Sequence, residues 1–243
     1  FNIDTSPTWS PDGEKIIFSS PTSKGVDEYG RPIPGPGGWG WEFHVNVMNS
    51  NGSRQRLLIA GPTGYVDEGF PRSISFPTSF RGAYGAVWSP DGSTIAFTSA
   101  CTGVLCKDNP SDIFTVNKHD GDLKRLTKEE GTEACNSWSP DGKKLLCVTG
   151  NSSATYVFGD IFTMNADGTS ITYLTHGNGD IDSYWPDWSP DGEEITYSVL
   201  SGPDELGEIK AIGQLYVVND DGSNKSKFIS RPSVELQASW SPE

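Results

Sequence analysis

The pentapeptide Trp-Ser-Pro-Asp-Gly decides how this sequence is interpreted, because it occurs four times, at Trp9–Gly13, Trp88–Gly92, Trp138–Gly142 and Trp188–Gly192. A fifth copy starts at Trp240 and ends as Trp-Ser-Pro-Glu. Successive tryptophans are 79, 50, 50 and 52 residues apart. A fixed spacing of this kind is typical of a repeated supersecondary unit. The sequence therefore predicts a unit of about 50 residues, and the first copy carries extra residues.

Each unit is predicted to contain four short strands, a to d, and no segment has a convincing helical period. Strand a precedes Ser-Pro-Asp-Gly, where Pro fixes φ, Asp accepts hydrogen bonds from nearby amides and Gly accepts a positive φ. Strand b is predicted at Lys15–Phe18, Thr94–Phe97, Lys144–Cys147 and Glu194–Tyr197. Strand c is predicted at Phe43–Val47, Asp112–Val116, Asp160–Met164 and Gln214–Val218.

An Asn-Gly or Asp-Gly pair then marks a hairpin in every unit, at Asn51–Gly52, Asp120–Gly121, Asp167–Gly168 and Asp221–Gly222. Strand d is predicted to end near Leu58, Leu126–Thr127, Leu174–Thr175 and Phe228–Ile229. A four-stranded antiparallel unit repeated in this way is typical of a β-propeller blade, since radial packing covers both faces of each sheet. The repeated Trp is expected to lie between blades.

The repeats resemble the WD40-like propeller repeats of TolB type, and the segment Asp160–Thr175, DIFTMNADGTSITYLT, is a close match to the hairpin of that family. The resemblance implies an all-β propeller. Such propellers usually have six blades, whereas this sequence has four full units and a partial fifth. Either the sequence is part of a longer chain, or the strands near Thr8–Trp9 and Ser239–Trp240 contact neighbouring subunits, as in a filament.

We predict one propeller domain over residues 1–243. Its units are residues 6–60, 85–127, 134–175 and 184–230, and residues 236–243 start a further unit. The first unit carries loop insertions at 20–41 and 61–84.

Composition excludes several functions. The net charge is −14, with 18 Lys and Arg against 32 Asp and Glu, so nucleic-acid binding is not expected. No apolar stretch reaches the roughly 18 residues that a membrane-spanning helix needs. The 28 Gly and 17 Pro are too many for long helices, while the abundant aromatic residues argue against disorder.

The four cysteines form an even set, for which we predict two disulfides, Cys101–Cys106 and Cys135–Cys147. Cys135 and Cys147 are equidistant from Asp141 in the predicted hairpin turn, which places them opposite each other. The alternative is four buried free thiols. Asn51, Asn151 and Asn224 begin sequons for N-glycosylation, and all three fall in predicted turns or loops. Disulfides, acidity and the family together favour an extracellular or periplasmic location.

The sequence shows no catalytic motif. It has three His residues, and it contains neither a Gly-x-Ser-x-Gly elbow nor a His-Glu-x-x-His pair. In a propeller the innermost strand lines a central channel, and carboxylates precede strand a in most of the units: Asp4, Glu133, Asp182 and Glu235. These carboxylates suggest an acidic ring at one mouth of the channel that binds Ca²⁺ or a basic group of a partner. The alternative is a solvated loop that adds to the general negative charge. No cofactor other than this Ca²⁺ is expected.

Long loops on a rigid scaffold often carry function. Aromatic residues in the two insertions, Trp39, Trp41, Tyr65 and Phe70, together with Tyr184 and Trp185, form a candidate recognition surface for a protein or glycan. The alternative is a satellite core beneath the loops. We therefore predict a non-catalytic extracellular or periplasmic scaffold, which also serves as a repeating subunit of an assembly in one variant. The alternative from another class is the propeller domain of a serine peptidase.

Overall fold

The computed structural model describes residues 5–22, 42–59, 82–100, 111–128, 132–150, 159–176, 181–201 and 213–229, together with residue 240. All sixteen regular elements in these ranges are β-strands, and they form four successive blades. No helix capable of crossing a membrane occurs in the described part of the chain. The predicted all-β class and the four-stranded antiparallel blades are confirmed.

The strands follow one another in the order a to d within each blade, and sequence neighbours pair antiparallel. Blade 1 contains β1 (Thr5–Trp9), β2 (Lys15–Thr22), β3 (Glu42–Asn49) and β4 (Arg56–Ile59). Blade 2 contains β5 (Tyr84–Trp88), β6 (Thr94–Ala100), β7 (Ser111–Asn117) and β8 (Leu123–Arg125). Blade 3 contains β9 (Thr132–Trp138), β10 (Lys144–Gly150), β11 (Ile161–Asn165) and β12 (Thr172–Tyr173). Blade 4 contains β13 (Ile181–Trp188), β14 (Glu194–Ser201), β15 (Gly213–Asn219) and β16 (Ser226–Ile229).

Two compact units divide the chain, Phe1–Glu130 and Gly131–Glu243, and each unit contains two blades. The core of the first unit includes Ile17, Val45 and Leu58 from blade 1 with Ile95 and Phe97 from blade 2. The second unit has a separate core of the same design. The organisation as a single domain over residues 1–243 stays a prediction.

The Ser-Pro-Asp-Gly turn forms the same hydrogen-bond network in all four blades, and blade 4 illustrates it. Ser189 Oγ donates to Asp191 Oδ1 at 2.6 Å and accepts from the N–H of Glu194 at 2.9 Å. Asp191 Oδ1 also accepts from the N–H of Glu193 at 3.0 Å. Gly192 has φ +75°, a conformation that residues with a Cβ adopt only at a cost. This network explains why the Ser, Asp and Gly recur at fixed positions.

The hairpin between strands c and d lies beside this turn. In blade 4 the N–H of Asp220 donates to the carbonyl of Glu193 at 3.1 Å. Equivalent bonds join Ser50 to Glu14, Lys118 to Ser93 and Ala166 to Lys143 at 2.7–2.9 Å. Each blade therefore presents two tight hairpins together at one end, and this shared end is called the turn end.

Two of the repeated tryptophans pack as expected against the preceding blade. Trp88 joins a cluster with Leu58 of blade 1, and Trp188 joins one with Leu174 of blade 3. Trp88, Trp138 and Trp188 are only 8 %, 9 % and 6 % exposed, whereas Trp9 is 57 % exposed. The expectation that every repeated Trp is buried between blades is therefore wrong for Trp9. Trp9 is paired with Ile16 in the register, and Ile16 lies on the opposite face of β2 from Ile17, which packs on blade 2. The Trp9 side chain therefore lies on the face that blade 2 does not cover.

Strand d ends earlier than predicted in blades 2 and 3, because a threonine side chain replaces the backbone partner. Thr127 Oγ1 accepts from the N–H of Ile113 at 3.0 Å, and Thr175 Oγ1 accepts from the N–H of Ile161 at 2.8 Å. The hydroxyl satisfies the amide of strand c, so the ladder stops at Arg125 and Tyr173 while the chain stays attached.

An ion pair between the exposed Arg125 and the buried Asp112 fixes the outer strand of blade 2. Arg125 Nη2 lies 2.7 Å from Asp112 Oδ2, and the Asp112 side chain is almost fully buried. Arg125 Nε also donates to the carbonyl of Thr127 at 3.0 Å. Burial raises the pKa of the Asp112 carboxyl, and the bond and charge of Arg125 oppose that rise.

Candidate binding surface

Strand a carries an irregularity three residues before the repeated Trp in three of the blades. The register with strand b shifts between Thr5 and Thr8, between Tyr84 and Val87 and between Tyr184 and Asp187. The first of the two residues inside each shift has a positive φ: Ser6 at +53°, Gly85 at +61° and Trp185 at +46°. The bulge redirects one side chain out of the regular alternation of the strand.

Trp185 is the exceptional residue among these three. A bulky side chain at positive φ costs of order 1–3 kcal/mol, and such strain persists where the surrounding structure imposes it, often at ligand sites. The residue is nevertheless 39 % exposed, so a large part of its apolar surface stays in contact with solvent. Trp185 therefore combines an exposed aromatic surface with a fixed, strained backbone.

Asp187 lies next to this bulge and is half-buried. Burial raises the pKa of its carboxyl, although a hydrogen bond from the N–H of Trp188 opposes the rise. The indole Nε1–H of Trp240 donates to the carbonyl of Asp187 at 3.4 Å. The partial fifth repeat thus contacts strand a of blade 4 through its own tryptophan.

The turn end of blade 4 forms an open acidic cleft of about 620 Å³. Five carboxylates line this acidic cleft: Asp191, Glu193, Glu194, Asp220 and Asp221. Hydrogen bonds from Ser189 and the N–H of Glu193 lower the pKa of Asp191. The pKa of Asp221 is lowered chiefly by hydrogen bonds from Ser223. Both groups are therefore ionised at neutral pH.

One lysine reaches the acidic cleft, since Lys144 Nζ lies 2.5 Å from Asp220 Oδ2. The field at this surface attracts cations and basic groups and repels nucleic acid. The sequence pattern assigned Asp221–Gly222 to a hairpin and did not reveal the cleft. The signal was present, because two acidic runs lie on the two hairpins of one blade and those hairpins share an end.

The predicted aromatic surface falls mainly outside the described residues. Trp39, Trp41, Tyr65 and Phe70 all lie there. Tyr184 belongs to β13, and its side chain is outside the description, whereas Trp185 is exposed on that strand. The recognition surface therefore stays a prediction, with Trp185 as its described member.

The predicted acidic ring is also only partly within the description. Asp4 and Glu235 lie outside the described residues, and Asp182 is described only as a backbone position of β13. Glu133 is buried in β9. No group of three or more metal-ligating side chains occurs among the residues described. The Ca²⁺ hypothesis stays a prediction.

Cys135 and Cys147 form a disulfide, with the two sulfurs 2.11 Å apart. These residues are directly opposite in the register of β9 and β10. Cys101 and Cys106 lie outside the described residues.

Two of the three sequons lie in described, exposed turns. Asn51 accepts a hydrogen bond from the N–H of Ser53 at 3.0 Å, and Asn224 has φ +55°. Asn151 is outside the described residues, so glycosylation at all three positions stays a prediction.

The fold and the repeated turns define an all-β propeller. A family model for the TolB β-propeller domain matches residues 72–202, which is more than half of the chain. The chain belongs to this TolB β-propeller domain family.

An uncharacterized protein of Agrobacterium fabrum is 27% identical over 238 residues, which cover 97% of this chain. The chain spans only 60% of the length of that relative. TolB from Acinetobacter baumannii aligns with a TM-score of 0.56 at 20% identity, over 90% of this chain and 41% of the other. The β-propeller domain of the Trilobed protease from Pyrococcus furiosus aligns with a TM-score of 0.54 at 14% identity, over 95% and 58%. At these identities the structural likeness shows the fold alone.

Proposed function

We propose that this chain is a non-catalytic binding scaffold of TolB type, which recognises a protein or a glycan through exposed side chains on its loops and inner strands. The observation that carries the proposal is Trp185, an exposed indole on a strained backbone. A rigid aromatic platform loses little conformational entropy on binding, and Trp is among the residues most enriched at binding hot spots. The loop aromatics Trp39, Trp41, Tyr65 and Phe70 are further contact residues in this proposal.

The scaffold is proposed to work outside the cytoplasm, in the periplasm or the extracellular space. The disulfide between Cys135 and Cys147 supports this location, because disulfides persist in oxidising compartments. A role as the repeating subunit of a larger assembly or filament is a variant of the same function.

The test compares the wild-type chain with Trp185→Asn. Asn tolerates positive φ better than Trp, so this variant removes the ring and relieves the backbone. Both proteins are probed on a glycan array and with periplasmic extract, and their melting temperatures are measured. Binding that disappears while the melting temperature is unchanged or higher supports the proposal. Binding unaffected by the substitution, or a large fall in melting temperature, contradicts the role of Trp185.

A second candidate is the propeller domain of a serine peptidase. The observation that favours it is the alignment with the propeller domain of the Trilobed protease, which is as good as that with TolB within 0.02 of TM-score. The sequence that follows Glu243 in the full gene separates the two candidates. A Gly-x-Ser-x-Gly domain there supports the peptidase, and further propeller units support the scaffold.

A further inference from the structure

The exposure of Trp185 follows from the bulge in β13 that contains it. Gly85 has the same position in the bulge of blade 2, and its φ of +61° is close to the +46° of Trp185. A Cβ built at Gly85 meets no described atom within 4 Å. Blade 2 is remote from both ends of the sequence. A side chain at this position therefore points into open space because of the bulge, and not because of where the sequence begins or ends.

The same bulge fixes the backbone on both sides of the ring. Tyr184 pairs with Ser198 and Asp187 pairs with Thr196, so the residues between these pairs are held by a strand ladder on either side. A bulky residue keeps a positive φ only where the surrounding structure imposes it. The ring is therefore preorganised, and a ligand that stacks on it orders little of the protein on binding.

The setting of this ring is polar. Thr196 and Ser198 are the buried residues of β14 that pair on either side of the bulge, and Asp187 is half-buried. Among the described side chains of β13 and β14, Trp185 is the only large apolar one that is exposed. A protein hot spot is normally surrounded by other apolar contacts that exclude water. An isolated ring in a polar setting suits a sugar, whose C–H face packs on the ring while its hydroxyls bind polar groups and water.

Charge narrows the class of sugar. The chain has a net charge of −14, and Asp187 follows Trp185 by two residues on the same strand. The acidic cleft adds five carboxylates at the turn end of the same blade. This negative field repels a glycan that carries carboxylates or sulfates, whereas an uncharged sugar is unaffected by it.

We propose that Trp185 is the stacking platform of a binding site for a neutral, pyranose-based glycan. This inference rests on the proposed binding function and narrows its ligand from a protein or a glycan to an uncharged sugar. The indole supplies a flat apolar surface for one face of a pyranose ring, and the bulge keeps that surface in place.

The test is isothermal titration calorimetry of the full chain with two neutral probes, cellotetraose and chitotetraose, and one acidic probe, tetragalacturonate. The wild type is expected to bind a neutral tetramer, and Trp185→Gly is expected to weaken that binding by about tenfold or more. Gly is the residue of the same bulge in blade 2, so this variant removes the ring and keeps the backbone conformation. Trp185→Phe keeps an aromatic ring and is expected to lose less affinity. Phe228→Ser is the matched control, because it removes an exposed aromatic side chain from the opposite edge strand of the same blade.

A wild type that binds neither neutral tetramer overturns the proposal, and so does equal affinity of the wild type and Trp185→Gly. Tetragalacturonate bound as tightly as the neutral tetramers overturns the assignment to an uncharged sugar. Thermal melting of each variant confirms that a loss of binding comes from a folded chain. A protein that is captured from periplasmic extract by the wild type and not by Trp185→Gly, while no tetramer binds, refutes the glycan ligand and supports the binding scaffold. The failure of this inference is thus distinguishable from the failure of the proposed function.

Discussion

Truncation of Trp188 to alanine tests how much the repeated tryptophan contributes to stability. Its side chain is almost fully buried among residues of blades 3 and 4, including Leu146, Ile161, Leu174 and Ile195. A buried Trp removes roughly 200 Å² from water, and truncation of such a residue costs about 3–5 kcal/mol. Its Nε1–H is buried with no hydrogen-bond partner in the described part of the chain. Removal relieves that unpaired donor, so we expect the lower end, about 3 kcal/mol.

The assay is thermal unfolding followed by calorimetry at a concentration where the chain is monomeric. A loss of about 3 kcal/mol lowers Tm by about 6–12 °C for a chain of this size. The matched control is Trp9→Ala, the same substitution at the same repeat position on an exposed face, for which we expect a change within about 1 kcal/mol. Equal destabilisation by the two substitutions would show that the repeat position, and not burial between blades, sets the cost.

Three further predictions concern the turn, the ion pair and the disulfide. Ser139→Ala removes a buried hydroxyl that bonds Asp141 and the N–H of Lys144, and it is expected to cost about 1–2 kcal/mol in urea unfolding. Ser137→Ala is the control, because the buried Ser137 hydroxyl has no hydrogen-bond partner in the described ranges, and equal costs for the two variants would contradict the role of the turn network. Arg125→Leu is expected to cost about 2 kcal/mol of unfolding free energy at pH 7, because it leaves the buried Asp112 carboxylate without its partner. The cost is expected to decrease as the pH falls, because the Asp112 carboxyl, whose pKa is raised, then binds a proton, and a cost independent of pH would exclude this mechanism. The double substitution Cys135→Ser and Cys147→Ser is expected to lower the free energy of unfolding by about 2–3 kcal/mol. An unchanged Tm would show that this disulfide does not stabilise the fold.

The blades could be predicted from the sequence because their signals are local. Ser-Pro-Asp-Gly satisfies its own hydrogen bonds within six residues, and Asp-Gly or Asn-Gly fixes each second hairpin, so the turns are encoded independently of the rest of the chain. Each turn also sets the register of the two strands that it joins. Cys135 and Cys147 could therefore be paired from their equal separation in sequence from Asp141.

The features that the sequence could not predict depend on neighbours far along the chain. The exposure of Trp9 depends on which blade covers its face, and no local pattern distinguishes it from Trp188. The positive φ of Trp185 arises from a bulge against β14, whereas Trp itself disfavours that conformation. The pairing of Asp112 with Arg125 required the exact register of β7 and β8.

The candidate site likewise contains one feature with a local sequence signal and one that depends on distant contacts. The acidic cleft could have been found from sequence, since its carboxylates lie on two predicted hairpins of one blade. The strained Trp185 could be selected only as an aromatic residue, and its backbone conformation became evident from the register shift between Tyr184 and Asp187. Local chemistry thus places turns and charges, while tertiary packing decides which aromatic side chains are exposed.

The most direct test of the packing of Trp88 and Trp188 between blades is ¹⁹F NMR of the chain labelled with 5-fluorotryptophan. Resonances are assigned by single Trp→Phe substitutions, and the chemical-shift change between H₂O and D₂O reports the solvent access of each indole. We predict small changes for Trp88, Trp138 and Trp188 and large changes for Trp9 and Trp185. Changes at Trp88 and Trp188 as large as that at Trp9 would contradict the packing of these blades.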